Sequence, residues 1–507
     1  MGFTHICPTK EEDKTYGGID RYNRLWPGKP TVIERPCLIQ GEAESPMPNY
    51  LRQETQNSAP TSRRKIWLAT GTAGLTSVVG LFGVPAASAG AAGADRIASP
   101  EWSTAEQVVD DDALGRDDGR GEVGADREGR AARHGQDASG GDPRHRTDAT
   151  NAKDVPCDTG VLIEELNRAN RASGGVFKLA RNCTYAFAAQ STAKVTGQTG
   201  NGGFPVIDKR ITILGDGSTF SEGFRIITVN PGGELTLTGV TVTGGRLTGP
   251  PDNTGAADGG GILIQPGGQA VIENSMIVGN SATGNGGGIA NFGELELRAS
   301  IVADNRACNG GGIYNAGEMT IDNSRISRNI AAGNCQAGGN GGGIANAEDG
   351  TATIAHSMIT GNKARNDGGG ISNDGNSAML LEGVIIGGNK ATNNGGGVFH
   401  DSTAGATIRN ALFIKNTAGD NGGGLFNGGT LDLPDSGFKD NHAEQGGAIY
   451  NDNDGVLDVD NSTIVGNVAS ATRGAGGIYN NGAVRIDTTI IKKNEPRNCT
   501  NVPHCVN

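Results

Sequence analysis

Asn285-Gly286-Gly287-Gly288-Ile289-Ala290-Asn291 and, one turn of sequence later, Asn309-Gly310-Gly311-Gly312-Ile313-Tyr314-Asn315 are the stretches on which the fold can be read. The Gly run followed by an aliphatic residue recurs at Ile262, Ile289, Ile313, Ile344, Ile371, Val398, Leu425, Ile449 and Ile478, at intervals of 27, 24, 31, 27, 27, 27, 24 and 29 residues. Self-similarity at such a period marks stacked supersecondary units. A second marker keeps the same period: Asn280, Asn305, Asn329, Asn362, Asn389, Asn416, Asn441, Asn467 and Asn494. Three residues before each stands a large apolar residue, from Ile277 to Ile491, and five before it usually a small one, such as Ser275, Ser300 or Ser462. A separation of two puts both on one strand face. Leu295-Glu296-Leu297 and Leu457-Asp458-Val459 read as further short strands with their acids turned outward.

A unit of about 27 residues with two or three short strands, Gly turns and no helical or Leu-rich half is one coil of a parallel β-helix. The spacing predicts an all-β, single-stranded solenoid of about nine to eleven coils. Equivalent residues then stack, Ile on Ile and Ser on Ser. A stacked Asn has donor and acceptor on one amide, so each can bond the next along the axis. Asn291, Asn315, Asn346, Asn373, Asn427, Asn451 and Asn480 form another such column, with His400 in one place. The 31-residue interval carries an insert, Ala332 to Gly339, between the Asn and the Gly run.

Outward from the repeats, Asp158 can N-cap a short helix with Val161, Leu162, Leu166 and Ala169 on one face, ended by Gly174-Gly175. A helix before the first coil covers the open end of a solenoid core. Residues 90–155 hold hardly any large aliphatics and read as a disordered spacer. Residues 63–89 read as an export signal, Sec or twin-arginine, with Arg63-Arg64-Lys65 before an apolar run and Ala87-Ser88-Ala89 as the cleavage site. Cleavage between Ala89 and Gly90 leaves no stable membrane span, and residues 1–62 are either an over-called start or an extended n-region. The remaining divisions are 156–250 for the helix cap and first coils, 251–494 for the repeats and 495–507 for a stapled tail. No membrane-barrel pattern is expected after the coils.

The 507 residues include 85 Gly, roughly 17%, which the turns account for. Net charge is −12, which argues against a nucleic-acid partner. Aromatics are 4%, so the core is aliphatic. Cys157, Cys183, Cys308, Cys335, Cys499 and Cys505 follow the signal, an even set that points to disulfides in an exported chain. Cys157 and Cys183 flank the cap, Cys308 and Cys335 occupy one turn in adjacent coils, and Cys499 and Cys505 close the tail.

The two quoted stretches resemble the repeats of polymorphic outer membrane proteins and of related secreted β-helix proteins of the pectin-lyase superfamily. The resemblance covers residues 157–507, with Asn182-Cys183-Thr184-Tyr185 similar to a feature of the family cap. It implies right-handed coiling and a cell-surface or extracellular setting, and it carries no catalytic site.

Lyases of that superfamily use Asp-bound calcium and an Arg base, and its hydrolases use clustered Asp. The best acidic grouping here is Asp452, Asp454, Asp458 and Asp460. Asp458 and Asp460 share a strand face and are the candidate catalytic pair, and Asp452 and Asp454 are candidate calcium ligands. The alternative is a solvated acidic edge with no metal. No Walker or dinucleotide fingerprint occurs, and no cofactor is expected. Three functions remain in view: a non-enzymatic, adhesin-like scaffold for polysaccharide or surface protein, a polysaccharide lyase or glycoside hydrolase, and a spacer.

Overall fold

The computed structural model describes residues 151–187, 204–221, 223–248, 257–332 and 338–507. They form a right-handed parallel β-helix of about 11 turns with one helix. The signal at 63–89 with Ala89 and Gly90, the segment 1–62, the spacer up to residue 150, and Cys335 within its insert all lie outside the described residues.

One coil shows how the sequence makes the turn. Ile289–Asn291, Glu294–Arg298, Ile301–Ala303 and Arg306–Ala307 are its strands. Each pairs in parallel with its equivalent in the next coil, Ile289 opposite Ile313, Leu295 opposite Met319, Val302 opposite Ile326 and Ala307 opposite Ala331. Positive φ makes the corners: Ala299 at 45°, Asp304 at 56° and Gly310 at 58°. At the first two corners most other coils place Asn, Asp or Gly at this step, residues for which a local hydrogen bond or the lack of a Cβ eases the left-handed region, while Arg328, His356, Lys415, Thr488 and Lys493 adopt it without that help. The Gly runs are needed for approach as well. A Cβ on Gly311 would strike the backbone of Ile330 and Gly342 in the following coil.

The stacked strands give sheets of 23, 11 and 7 strands. Their inward residues build one core in which Ile262, Ile289, Ile313, Ile344 and Ile371 are fully buried. Phe413 and Phe438 lie ring on ring with centroids 4.3 Å apart. Ser275, Ser300, Ser324 and Ser357 sit at the first corner, and each hydroxyl accepts from a backbone N–H of the coil before.

Helix α1 (Thr159–Arg171) covers the N-terminal end, with Asp158 Oδ1 accepting from Val161 N at 3.1 Å. Leu162, Leu166 and Ala169 are buried, while Val161 is only partly so. The last residues of the stretch 90–155 read as spacer are structured. Lys153–Val155 is a strand paired with Phe177–Leu179, and Val155 is buried. Lys153 also bonds Glu165 at 2.6 Å, a buried acid on the inner face of α1, and holds its carboxyl below the usual range. Cys157–Cys183 and Cys499–Cys505 are disulfides, and Cys308 is also disulfide-bonded. Among the described residues no helix is long and apolar enough to cross a membrane.

Candidate functional site

The side chains that the repeat makes most conspicuous are occupied in the fold. From Asn280 through Asn305, Asn329, Asn362, Asn389, Asn416, Asn441 and Asn467 to Asn494, each Nδ2 donates to the next Oδ1 at 2.9–3.1 Å. Each Oδ1 after the first in this row also accepts from the backbone N–H of the Asn before it, for example Asn329 N to Asn362 Oδ1 at 2.9 Å. No amide in this row is left to address a ligand.

The acidic grouping read from the sequence is likewise engaged. Asp458 Oδ2 accepts from Arg485 Nε and Nη2 at 2.9 and 2.6 Å, and Asp460 Oδ1 accepts from Thr488 Oγ1 at 2.8 Å. Asp458 stands in register with Asp432 on one side and Arg485 on the other. It belongs to a series of axial pairs on this sheet that includes Glu234–Arg210, Glu273–Arg298 and Glu382–Arg409. Among the described residues no three His, Cys, Asp or Glu side chains converge as a metal site, so Asp452 and Asp454 are not joined to Asp458 and Asp460 in one.

The arrangement with functional character lies on another face, that of the 11-stranded sheet. In eight of its strands, from Ile289–Asn291 to Ile478–Asn480, the residue between the buried aliphatic and the buried Asn, or His400 in one, points outward. In register these are Ala290, Tyr314, Ala345, Ser372, Phe399, Phe426, Tyr450 and Tyr479. Phe399, Phe426, Tyr450 and Tyr479 stack with centroids 5.0, 5.4 and 5.3 Å apart and planes within 16°. The two middle rings are buried by this stacking, while Phe399 and Tyr479 are half-exposed.

At Phe399 the row stops, because Ser372 stands next to it. The Ser372 hydroxyl donates to Asp374 Oδ2 at 3.1 Å, and Asp374 is in register with Asp401 on the Phe399 strand. Burial pushes the Asp374 carboxyl up, and Asp401 and Asp367 push the same way. Asp367, four residues before the strand Ile371–Gly375 that carries Asp374, is also pushed up by burial, although Asn394 donates to it at 2.9 and 3.1 Å. Across the gap, Tyr314 Oη donates to Glu348 Oε1 at 3.2 Å, and burial raises the phenol. A half-exposed ring that ends the stacked row therefore stands near two carboxyl groups, Asp374 and Asp367, whose pKa values burial raises. The sequence reading passed over this group, yet a signal existed: Asp374 and Asp401 each fall three residues after the aliphatic of a Gly run, 27 apart.

No protein-family model, curated protein or solved structure matches the chain.

Proposed function

We propose that this chain is an exported, non-enzymatic binding scaffold of the cell surface or extracellular space, with pectin-lyase-type coils, that holds polysaccharide or surface protein. The reading is carried by the half-exposed end of the aromatic row at Phe399, flanked by Asp374 and Asp401. A ring face packs against the apolar face of a sugar, and carboxyl oxygens accept from its hydroxyls. Disulfides at both ends of the solenoid support an oxidising compartment. The test is a panel of plant, microbial and host polysaccharides offered to the full chain, with binding and new chain ends read together. Binding that Phe399→Ala weakens without any new ends supports the scaffold. Undiminished binding by Phe399→Ala removes the site.

One observation favours a second reading, a glycoside hydrolase. Two carboxyl groups on adjacent strands in register, one of them with its pKa raised by burial, have the composition of an acid and its partner. New reducing ends that vanish in Asp374→Asn would move the protein to that class.

A further inference from the structure

The short fourth strand of each coil begins one residue after the ladder Asn. Its outward residues run in register as Arg246, Ser281, Arg306, Ile330, Lys363, Lys390, Thr417, His442, Val468 and Glu495. The inward neighbours are small: Ala307, Ala331, Ala364, Ala391, Ala418 and Ala443 are all buried. Two features together mark this edge of an acidic molecule, although unpaired lysines such as Lys178, Lys415 and Lys439 also occur elsewhere. It carries four permanent cations before its first acid, Glu495, in a chain of net charge −12. Those cations also have no partners among the described residues. Arg210, Arg298, Arg328, Arg409 and Arg485 elsewhere are each paired with an acid. Arg246, Arg306, Lys363 and Lys390 make no side-chain hydrogen bond or ion pair, and all four are exposed.

Arg246 and Arg306 flank Ser281 over a shallow cleft of about 350 Å³. Its floor is the small apolar cluster Leu247, Ala282 and Ala307, separate from the main core. The Thr248 and Ser281 hydroxyls lie on the cleft and make no hydrogen bond among the described residues. Two guanidinium groups and two hydroxyls around one apolar floor suit an oxyanion.

We propose that this edge binds an acidic polysaccharide, a linear chain bearing carboxylates or sulfate esters, laid along the solenoid axis with one anionic group seated between Arg246 and Arg306. At about 4.8 Å per coil, Arg246 to Lys390 spans five steps, or about 24 Å. Only an extended polyanion meets all four cations at once. A polynucleotide is the poorer fit, since no ring stands in this row between Arg246 and Lys390 for bases to stack on. The surface is distinct from the Phe399 face, and the proposal does not rest on the reading given for it.

The experiment uses the full chain against immobilised polygalacturonate, a sulfated glycan, neutral dextran and single-stranded polynucleotide, over a series of salt concentrations. The variants are Arg246→Gln with Arg306→Gln, Lys363→Gln with Lys390→Gln, and Arg485→Gln as a paired-cation control. All sit on exposed side chains, and an unchanged Tm confirms the fold. Expected are binding to the two acidic glycans only, at least a tenfold loss in each double variant, and a salt slope reduced by about 0.7–1 per cation removed. Arg485→Gln binds like the parent. Equal binding to dextran, a preference for polynucleotide, or equal loss in Arg485→Gln overturns the proposal. So does binding unaffected by both double variants, and so does no binding to either acidic glycan at low salt.

Discussion

The column from Asn280 to Asn494 and the column from Asn291 to Asn480 are built from the same amide, and only the first is continuous. In the first, every Oδ1 after Asn280 accepts from both the side chain and the backbone N–H of the preceding Asn. In the second, Asn291, Asn315, Asn346 and Asn373 link at 2.6–2.7 Å, and then His400 takes the next place. Asn373 Nδ2 lies 3.0 Å from His400 Nδ1, and His400 Nε2 lies 3.2 Å from the Thr430 carbonyl. These partners fix the ring as neutral, with its proton on Nε2. The ring has no donor left for the next rung, and Asn427 Oδ1 is buried without a hydrogen bond. A ladder therefore needs a side chain that can donate and accept along one line, and imidazole turns its donor sideways.

The largest effect is expected from breaking the continuous column. Asn362 is fully buried, accepts from Asn329 N and Nδ2, and donates to Ile326 O and Asn389 Oδ1. Asn362→Ala leaves the Asn329 backbone N–H without its acceptor and takes one bond from the Ile326 carbonyl and from the Asn329 and Asn389 amides, which keep Val302 O and the residue-362 N–H as partners, with an expected loss of about 4 kcal/mol. Thermal or denaturant unfolding measures it. A loss under about 1 kcal/mol would mean that water or a shift of the corner replaces the amide.

The second column can be repaired rather than broken. His400→Asn restores a donor to Asn427 Oδ1, for an expected gain of about 1 kcal/mol after allowing for the smaller side chain. A sharper test is pH. Burial lowers the His400 pKa in the fold, so the unfolded chain takes up the proton first. Stability is then complete above the unfolded value of about 6.5 and declines as pH falls below it. Asp401, exposed on the same strand, opposes the shift, while Asn373 and Thr430 complete the contacts of the ring. Asp367 and Asp374 are raised, so they act with the opposite sign, favouring the fold as pH drops through the carboxylate range. His400→Asn should abolish only the loss that begins near neutrality. An unchanged profile in the variant would assign that loss to another group.

How much of this was legible depends on what the period reports. It reports residues that repeat, and so both Asn columns, the Ile stacks and the place of His400 could be read directly. Paired positions such as Asp374 and Asp401 need the register, and the period holds it, but acids that occur in only two coils do not stand out against the repeat. The cation row one residue after the ladder Asn was hidden in the same way, because Arg, Lys, Ser, Thr and Ile share only an outward position. Lys153–Val155 was missed for a different reason: three residues with one buried Val carry no periodicity. Its consequence is Glu165, an acid on the apolar side of α1 that makes sense only once Lys153 is beside it.

The Ser row offers a milder version of the same contrast, because the sequence has already broken it. Val384 and Ala411 replace Ser in two adjacent coils, and both are buried. Ser357 Oγ accepts from Ser324 N at 3.0 Å and donates to Ala355 O at 2.6 Å. Ser357→Ala removes one acceptor at a corner whose strands stay paired, and about 1 kcal/mol of destabilisation is expected. A cost close to that of Asn362→Ala would place the two rows on equal footing.

The smallest effect is expected at the pair first suspected of chemistry. Arg485 is fully exposed and joins Asp458 across adjacent coils, where water and salt screen the attraction. The Asp458 hydrogen bond is the main cause of the raised Arg485 pKa. Asp458→Ala with Asp460→Ala should leave both Tm and glycan binding unchanged within error. Cutting an Asn buried in its column removes four hydrogen bonds where no water can reach, whereas the partly exposed Asp458 oxygen that meets Arg485 lies where water can take over from the guanidinium. If the double variant nevertheless abolished glycan binding or cleavage, the acidic edge would be a working site, and the aromatic face would lose its claim.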